Sequence, residues 1–240
     1  MTEKLRNITG SKLPALAALL LLLAVWQLLS VSGLVPGYML PSPASVVAAL
    51  IGDFGALCAN AAITLQEAFY GLALGVAIGF GFAVLMDTFP LLYKAFYPLL
   101  VITQTIPTVA IAPLLVLWFG YEMTPKIILI VIVTFFPVTV GLLDGFRAVD
   151  PDSVRLLRSM GAGKWQIFRY IKAPAALPQF FSGLRIAAAY SVVGAVIAEW
   201  LGGFGGLGVY MTRVKKAFAF DKMFAVIFLI SAISLLLMQA

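Results

Sequence analysis

The sequence has no histidine and a single cysteine, Cys58. Without histidine, the usual general base and the commonest metal ligand are missing. One cysteine cannot close a disulfide within the chain, and it argues against a Cys-based metal site. A membrane-embedded enzyme needs converging His, Asp, Glu or Cys side chains. No catalytic residue, no metal site and no enzymatic activity of the chain itself are therefore expected. Charge is scarce as well: Asp, Glu, Lys and Arg make up 11% of the 240 residues, against about a quarter in a soluble domain. Two motifs resemble nucleotide sites but fail on context. GFGGLG at 203–208 matches the dinucleotide glycine pattern, yet that fingerprint works only between a strand and a helix of a βαβ unit. It falls between two apolar runs and is expected to be a flexible external loop. GAGK at 161–164 looks like the end of a P-loop. The earlier glycine is absent at the needed spacing, and Trp165 stands where Ser or Thr must bind magnesium. No cofactor is expected on this chain.

What the sequence has in excess is apolar residues, 62% of the total. A soluble protein of this size could not hide so much apolar surface, and the bilayer is the natural place for it. Six spans of about 20 residues each would use about half the chain. Apolar runs place them near 13–32, 61–86, 91–119, 125–146, 181–201 and from 221 to Ala240. Pro36, Pro41 and Pro43 break the chain after the first run, and a short surface helix is expected over 45–54. The expected fold class is an all-α membrane protein of about six transmembrane helices, forming one domain over 1–240. The run from Leu13 to Leu29 is longer than the core of a signal peptide and lacks an A-x-A-like site after it, so it is read as a retained span.

The net charge is +6, but the basic residues lie between apolar runs. Topology explains them better than a nucleic-acid partner does. With the N-terminus cytoplasmic, eleven of the sixteen Lys and Arg residues, Lys4, Arg6 and Lys12 among them, fall inside. Lys126, Arg213, Lys215, Lys216 and Lys222 fall outside. The excess favours this orientation, although the cluster at 213–222 opposes it. The last run ends SLLLMQA with no basic flank. Most spans end in an interfacial anchor, so a cytoplasmic tail beyond Ala240 is expected.

Several polar or small residues inside the runs are candidate functional positions. Gly71, Gly75 and Gly79 share one helix face, where a neighbouring backbone can approach closely, either within the subunit or at a subunit interface. Glu67 and Glu199 lie near the predicted outer ends of their spans. Each either lines the pathway or anchors at the interface. Gln104 lies deeper, in TQTIPT, where Pro107 and Pro113 free backbone carbonyls. Such groups are tolerated where they line a cavity or are buried in protein. Gln104, Thr105, Pro107, Thr108, Tyr190, Ser191 and Glu199 are the candidate pathway residues; the alternative for the proline stretch is a structural kink.

The most distinctive segment is PDSVRLLRSMGAGKWQIFRYIKAPAALP at 151–178. It reads as two short helices hinged at Gly161 and Gly163. Val154, Leu157 and Met160 make one apolar stripe, and Trp165, Phe168 and Ile171 the other. Pro174 and Pro178 are expected to stop the second helix. An apolar stripe outside the membrane asks for a partner that buries it.

This segment resembles the cytoplasmic signature of permease subunits of bacterial ABC importers: E-A-A, three residues, G, nine residues, I-x-L-P. Gly161, Ile171 and Pro174 match at the family spacing, whereas Arg155, Leu156 and Leu157 replace E-A-A and Ala173 replaces leucine. QTIPTVAIAPLLVLWFG, FFPVTVGLLDGFRAVDP and FSGLRIAAAYSVVGAVIAEW extend the resemblance from about Thr64 to the C-terminus. They are similar to the branch that imports nitrate, sulfonates, taurine and thiamine precursors. The resemblance implies a permease subunit in the bacterial inner membrane. It also implies a second permease copy, a pair of cytoplasmic ABC ATPases that bind ATP and magnesium, and an extracytoplasmic substrate-binding protein. The loop over 148–180 would be the coupling loop. Arg155, Leu157, Arg158, Met160, Gly161, Ala162, Gly163, Lys164, Trp165, Phe168, Ile171 and Pro174 would be its contact residues. Its basic side chains have two readings, pairing with acids on the ATPase or binding anionic lipid. The region from span 5 onward looks closest to hydroxymethylpyrimidine and thiamine-precursor permeases, with sulfonate, taurine or nitrate import as the alternative. An ion-coupled secondary transporter is the rival class, but no charged midplane pair or inverted repeat supports it.

Overall fold

The computed structural model describes residues 2–33 and 35–239, with side chains described outside 2–12 and 15. The side chains of Lys4, Arg6 and Lys12, which entered the orientation argument, lie outside the described residues. Every regular element among the described residues is helical, and the chain divides into two compact units.

The first unit comprises the chain up to Leu57 together with Met211–Phe228. It contains α1 (Thr2–Val31) and α2 (Pro43–Gly52), with portions of α10 (Leu207–Lys216) and α11 (Phe220–Gln239). Pro43 opens α2, where a missing N–H costs nothing, and the Ser42 hydroxyl caps it by accepting from the Ser45 amide at 3.2 Å. The Trp26 indole donates to the Pro41 carbonyl at 3.0 Å, and Ser30 Oγ donates to the Leu40 carbonyl at 3.0 Å. These bonds fold the proline-rich connection back onto α1. Val46, Ala49 and Ala225 form a small core, closed by Trp26 stacking on Phe228.

The second unit comprises Cys58–Tyr210 with Leu229–Ala240. It is built on α3 (Phe54–Thr88), α4 (Pro90–Thr103), α5 (Thr108–Phe119) and α6 (Met123–Arg147). After these come α7 (Pro151–Ser159), α8 (Lys164–Ile167), a π-helical turn (Phe168–Lys172) and α9 (Ala173–Leu201). Glycines set its packing. A Cβ on Gly71 would collide with Ile130, and one on Gly75 with Thr134. One on Gly79 would lie 2.9 Å from the Phe135 carbonyl. The α3 stripe therefore packs within the subunit, against α6. On its other side α6 meets α9 just as closely: a Cβ on Gly145 would lie 2.6 Å from Ala176, and one on Gly141 would lie 2.7 Å from the Gln179 carbonyl. Small residues give such helices close backbone approach.

Among the described residues, four helices are long and apolar enough to cross a membrane: α3, α6, Lys164–Leu201 and α11. The count is five if α4 and α5 are one broken span. Six were expected, and the two remaining expected spans are those at 13–32 and 91–119. The span expected at 13–32 falls in α1, a helix of 30 residues whose stretch Leu16–Val31 is apolar. The run at 91–119 is not one straight helix: α4 and α5 are bent by 97° at the residues between them, the geometry of a broken span or a re-entrant loop. Pro107 cannot continue a helix. At the end of α4 the hydroxyls of Thr103 and Thr105 donate to the Leu100 and Ile102 carbonyls at 2.6 and 2.8 Å.

The second short helix expected before Pro174 does not stop there. Lys164–Leu201 is continuous over 38 residues. The Ala173 amide donates to the Phe168 carbonyl, a π-type bond that adds a residue to the turn immediately before Pro174. That wider turn admits the proline ring. Packing of Ala176 and Gln179 on α6 carries the helix past Pro178, as neighbouring helices do for prolines in membrane spans.

Candidate functional site

The segment after α6 begins with a built helix cap. The Asp150 carboxylate accepts from the Asp152 amide at 3.0 Å and from the Ser153 hydroxyl at 3.1 Å. These bonds, the amide first, hold the Asp150 carboxyl below its ordinary range. Arg155 pairs with Asp152 at 3.0 Å in a fully solvated setting and contributes little to stability. α7 ends at Gly161, whose φ of +85° lies in the left-handed region. Its amide and that of Ala162 donate back to Arg158 and Leu157, a glycine C-terminal turn that few other residues adopt. Gly163 then donates to Gln166 Oε1 at 2.7 Å and starts the next helix.

A tight turn thus separates the two helices at Gly161–Gly163, and four large apolar side chains around it face outward. Leu156 is 63% exposed, Met160 73%, Trp165 67% and Tyr170 68%. Leu157, Met160, Gly161, Ala162, Gln166 and Tyr170 line a groove of about 250 Å³. Of the expected stripes, Met160 and Trp165 are exposed, while Val154, Leu157, Phe168 and Ile171 are half-buried. Phe168 packs between Trp165 and Phe146, with ring centroids 5.7 and 5.5 Å away. Arg158 and Lys164 are exposed beside the turn, as is Pro174 farther along the helix. Sequence reasoning passed over Leu156 and Tyr170. Leu156 lies four residues before Met160, the spacing of helix-surface neighbours, so a signal for it existed.

The candidate pathway residues do not all share one kind of environment. Gln104, Thr105 and Pro107 are exposed at the α4–α5 break, Thr108 is half-buried, and Tyr190 is exposed on α9. Ser191 and Glu199 are buried. Glu199 is the centre of a polar network. One carboxylate oxygen accepts from Thr64 Oγ1 at 2.7 Å and the other from the Gly208 amide at 2.6 Å. Thr64 Oγ1 in turn accepts from the Leu207 amide at 2.9 Å, and Asn60 Oδ1 accepts from the Gly206 amide at 3.0 Å. Three consecutive amides of the glycine-rich loop are thereby fixed to α3 and α9. The loop expected to be flexible is pinned, because its backbone donors find buried acceptors. Gly206 has a φ of +112° and no room for a Cβ against Glu199. Glu67 pairs with Lys126, and both are buried. Neither acidic side chain is an exposed interfacial anchor. No group of three or more His, Cys, Asp or Glu residues suited to a metal occurs among the described residues.

The chain matches the family model described as "Binding-protein-dependent transport system inner membrane component" over residues 71–240. It is 39% identical to a probable ABC transporter permease protein of Haemophilus influenzae, covering 90% of this chain and 88% of that one. It is 38% identical to the formylaminopyrimidine transport permease protein ThiX of Halalkalibacterium halodurans, covering 90% and 87%. Among solved structures, an amino acid ABC transporter superposes with a TM-score of 0.64 at 18% identity, covering 80% of this chain and 92% of that one.

Proposed function

This chain belongs to the family of binding-protein-dependent transport system inner membrane components, and on that premise we propose that it conducts a hydroxymethylpyrimidine-like thiamine precursor. It is an ABC importer permease and a multi-pass membrane protein; ATP hydrolysis is the work of a separate ATPase. The substrate reading is supported by the 38% identity to a formylaminopyrimidine permease. The second reading is import of an anionic sulfonate, taurine or nitrate, favoured by the exposed cations Arg213, Lys215 and Lys216 on α10.

In this proposal 1–240 acts as one permease domain, its N-terminus cytoplasmic, paired with a second copy of itself. An ABC ATPase dimer, holding ATP and magnesium, docks on the 148–180 loop, and a substrate-binding protein delivers the solute from the opposite side. Gln104, Thr105, Pro107, Thr108 and Tyr190 face the pathway; Ser191 and Glu199 support it from behind. The observation that carries the docking assignment is the outward-facing set of Leu156, Met160, Trp165 and Tyr170 on a polar, basic segment. Apolar side chains of this size in water ask for a covering partner. Arg155, Arg158 and Lys164 flank them and set charge complementarity rather than affinity.

Met160→Asp and Trp165→Asp test the docking. Losing about 1.5–3 kcal/mol of burial per side chain predicts at least about a tenfold fall in ATPase copurification. Membrane insertion should be unchanged. Undiminished copurification overturns the assignment. For substrate, a thermal-shift screen of the cognate binding protein against pyrimidines, sulfonates and nitrate decides between the readings. A shift with pyrimidines alone is expected; a shift with sulfonate or nitrate alone selects the second reading.

A further inference from the structure

The helix that begins at Lys164 has two parts with different surroundings. Beyond Ala173 it is locked to α6 by backbone-close contacts at Gly141, Gly145 and Gly183. Before it, Trp165 and Tyr170 project outward. Between the parts lies the π turn Phe168–Lys172, followed after Ala173 by Pro174, which has no amide to donate. A π turn occurs mostly as a single turn inside an α-helix, frequently at a functional site. Kinks in long helices gather at prolines and at such turns, and here the two coincide.

The last residue of that turn is fastened to a different helix. Lys172 Nζ donates to both carboxylate oxygens of Asp87, at 2.7 and 2.8 Å. Asp87 is the second-last residue of α3. The two side chains are 24% and 13% exposed, so water screens the pair less than a surface ion pair. Arg147, the nearby cation that ends α6, is engaged elsewhere: it donates to the Tyr93 hydroxyl at 2.7 Å and lies 3.6 Å above that ring.

We infer that Asp87 and Lys172 form the pivot through which movement of the 151–167 segment reaches α3, an inference that rests on the docking reading above. The docked segment and the first turns of Lys164–Leu201 form one lever. Packing on α6 holds the far part still, the π turn yields, and the bidentate ion pair transmits the displacement to the end of α3. Both residues are positioning residues; Lys172 lies within the 148–180 loop but is not one of its proposed contact residues.

The chain's one cysteine provides the reporter. Cys58 is exposed on α3 and accepts an environment-sensitive maleimide fluorophore. The experiment uses the complex of the full permease with its ATPase, trapped with MgATP and vanadate. In the wild type the label's signal changes on trapping. In Asp87→Asn and in Lys172→Met the change is lost while the ATPase still copurifies. In the exchanged pair Asp87→Lys/Lys172→Asp it returns. That return separates a pivot from a merely structural contact and guards against singles that misfold. The inference is overturned if the wild-type label does not respond, if either single variant responds like the wild type, if the exchanged pair stays silent, or if the single variants lose the ATPase. A wild-type permease that fails to bind its ATPase overturns the docking reading itself, a result distinct from all of these.

Discussion

Replacing Lys126 by Met leaves Glu67 buried without its counter-charge. Removing one partner of a buried ion pair costs about 3–5 kcal/mol, whereas replacing both by apolar residues is often neutral. Lys126→Met should therefore lower the thermal unfolding midpoint of the purified protein strongly, and Glu67→Leu/Lys126→Met should recover most of the loss. Equal stability of the single variant and the wild type would show that the pair is not isolated from water. At this scale the sequence was partly legible. Glu67 and Glu199 stand out as carboxylates in apolar runs, and both are buried. Their partners were not legible. Lys126 looked like an external topological charge, yet it is buried on Glu67. Thr64 and Glu199 are 135 residues apart, and no local pattern announces such a bond. Glycines at 203–208 look mobile when only their conformational freedom is weighed. What fixes them is a set of acceptors on other helices.

The elements make their own predictions. Gly75→Leu drives a side chain into Thr134 and should cost about 1–3 kcal/mol or more. Gly81→Leu, on the same helix with nothing within 4 Å of its Cβ, should change stability by under about 0.5 kcal/mol. Similar losses at both positions, read by thermal unfolding, would contradict the α3–α6 packing. α7 carries a pH prediction. The Asp150 carboxyl is held below its ordinary 3.8 by the bonds it accepts, so its capping contribution is present above that value and fades as pH falls through the lowered one. Asp150→Ala at neutral pH should speed amide exchange at Asp152, whose amide donates to the carboxylate, and in the wild type the protection of that amide relative to its intrinsic rate should fall on acidification; unchanged protection in both would refute the cap. The stripe of Gly71, Gly75 and Gly79 was readable from its spacing, and Gly141 with Gly145 carries the same four-residue spacing on α6 and escaped notice. Pro174 misled, because a proline normally ends a helix and nothing local reveals the π turn that admits it.

For the whole molecule, composition decided the class. An 11% share of charged residues and a 62% apolar share leave only the bilayer as a plausible environment, and the helices follow the apolar runs closely from α3 onward. The number of spans was less legible, since hydropathy cannot distinguish a straight crossing from two helices bent by 97°. The family follows from the match over 71–240, consistent with the spacing of Gly161, Ile171 and Pro174. The central claim concerns the one polar segment that displays large apolar side chains. Site-specific photo-crosslinking in membranes tests it most directly, with a crosslinker placed at Met160 and, in a second variant, at Trp165. The account predicts a covalent adduct with the ATPase from both positions and none from Leu21 on α1, which is equally exposed in the chain. Absence of an ATPase adduct at Met160 and Trp165, with one at Leu21, would contradict it.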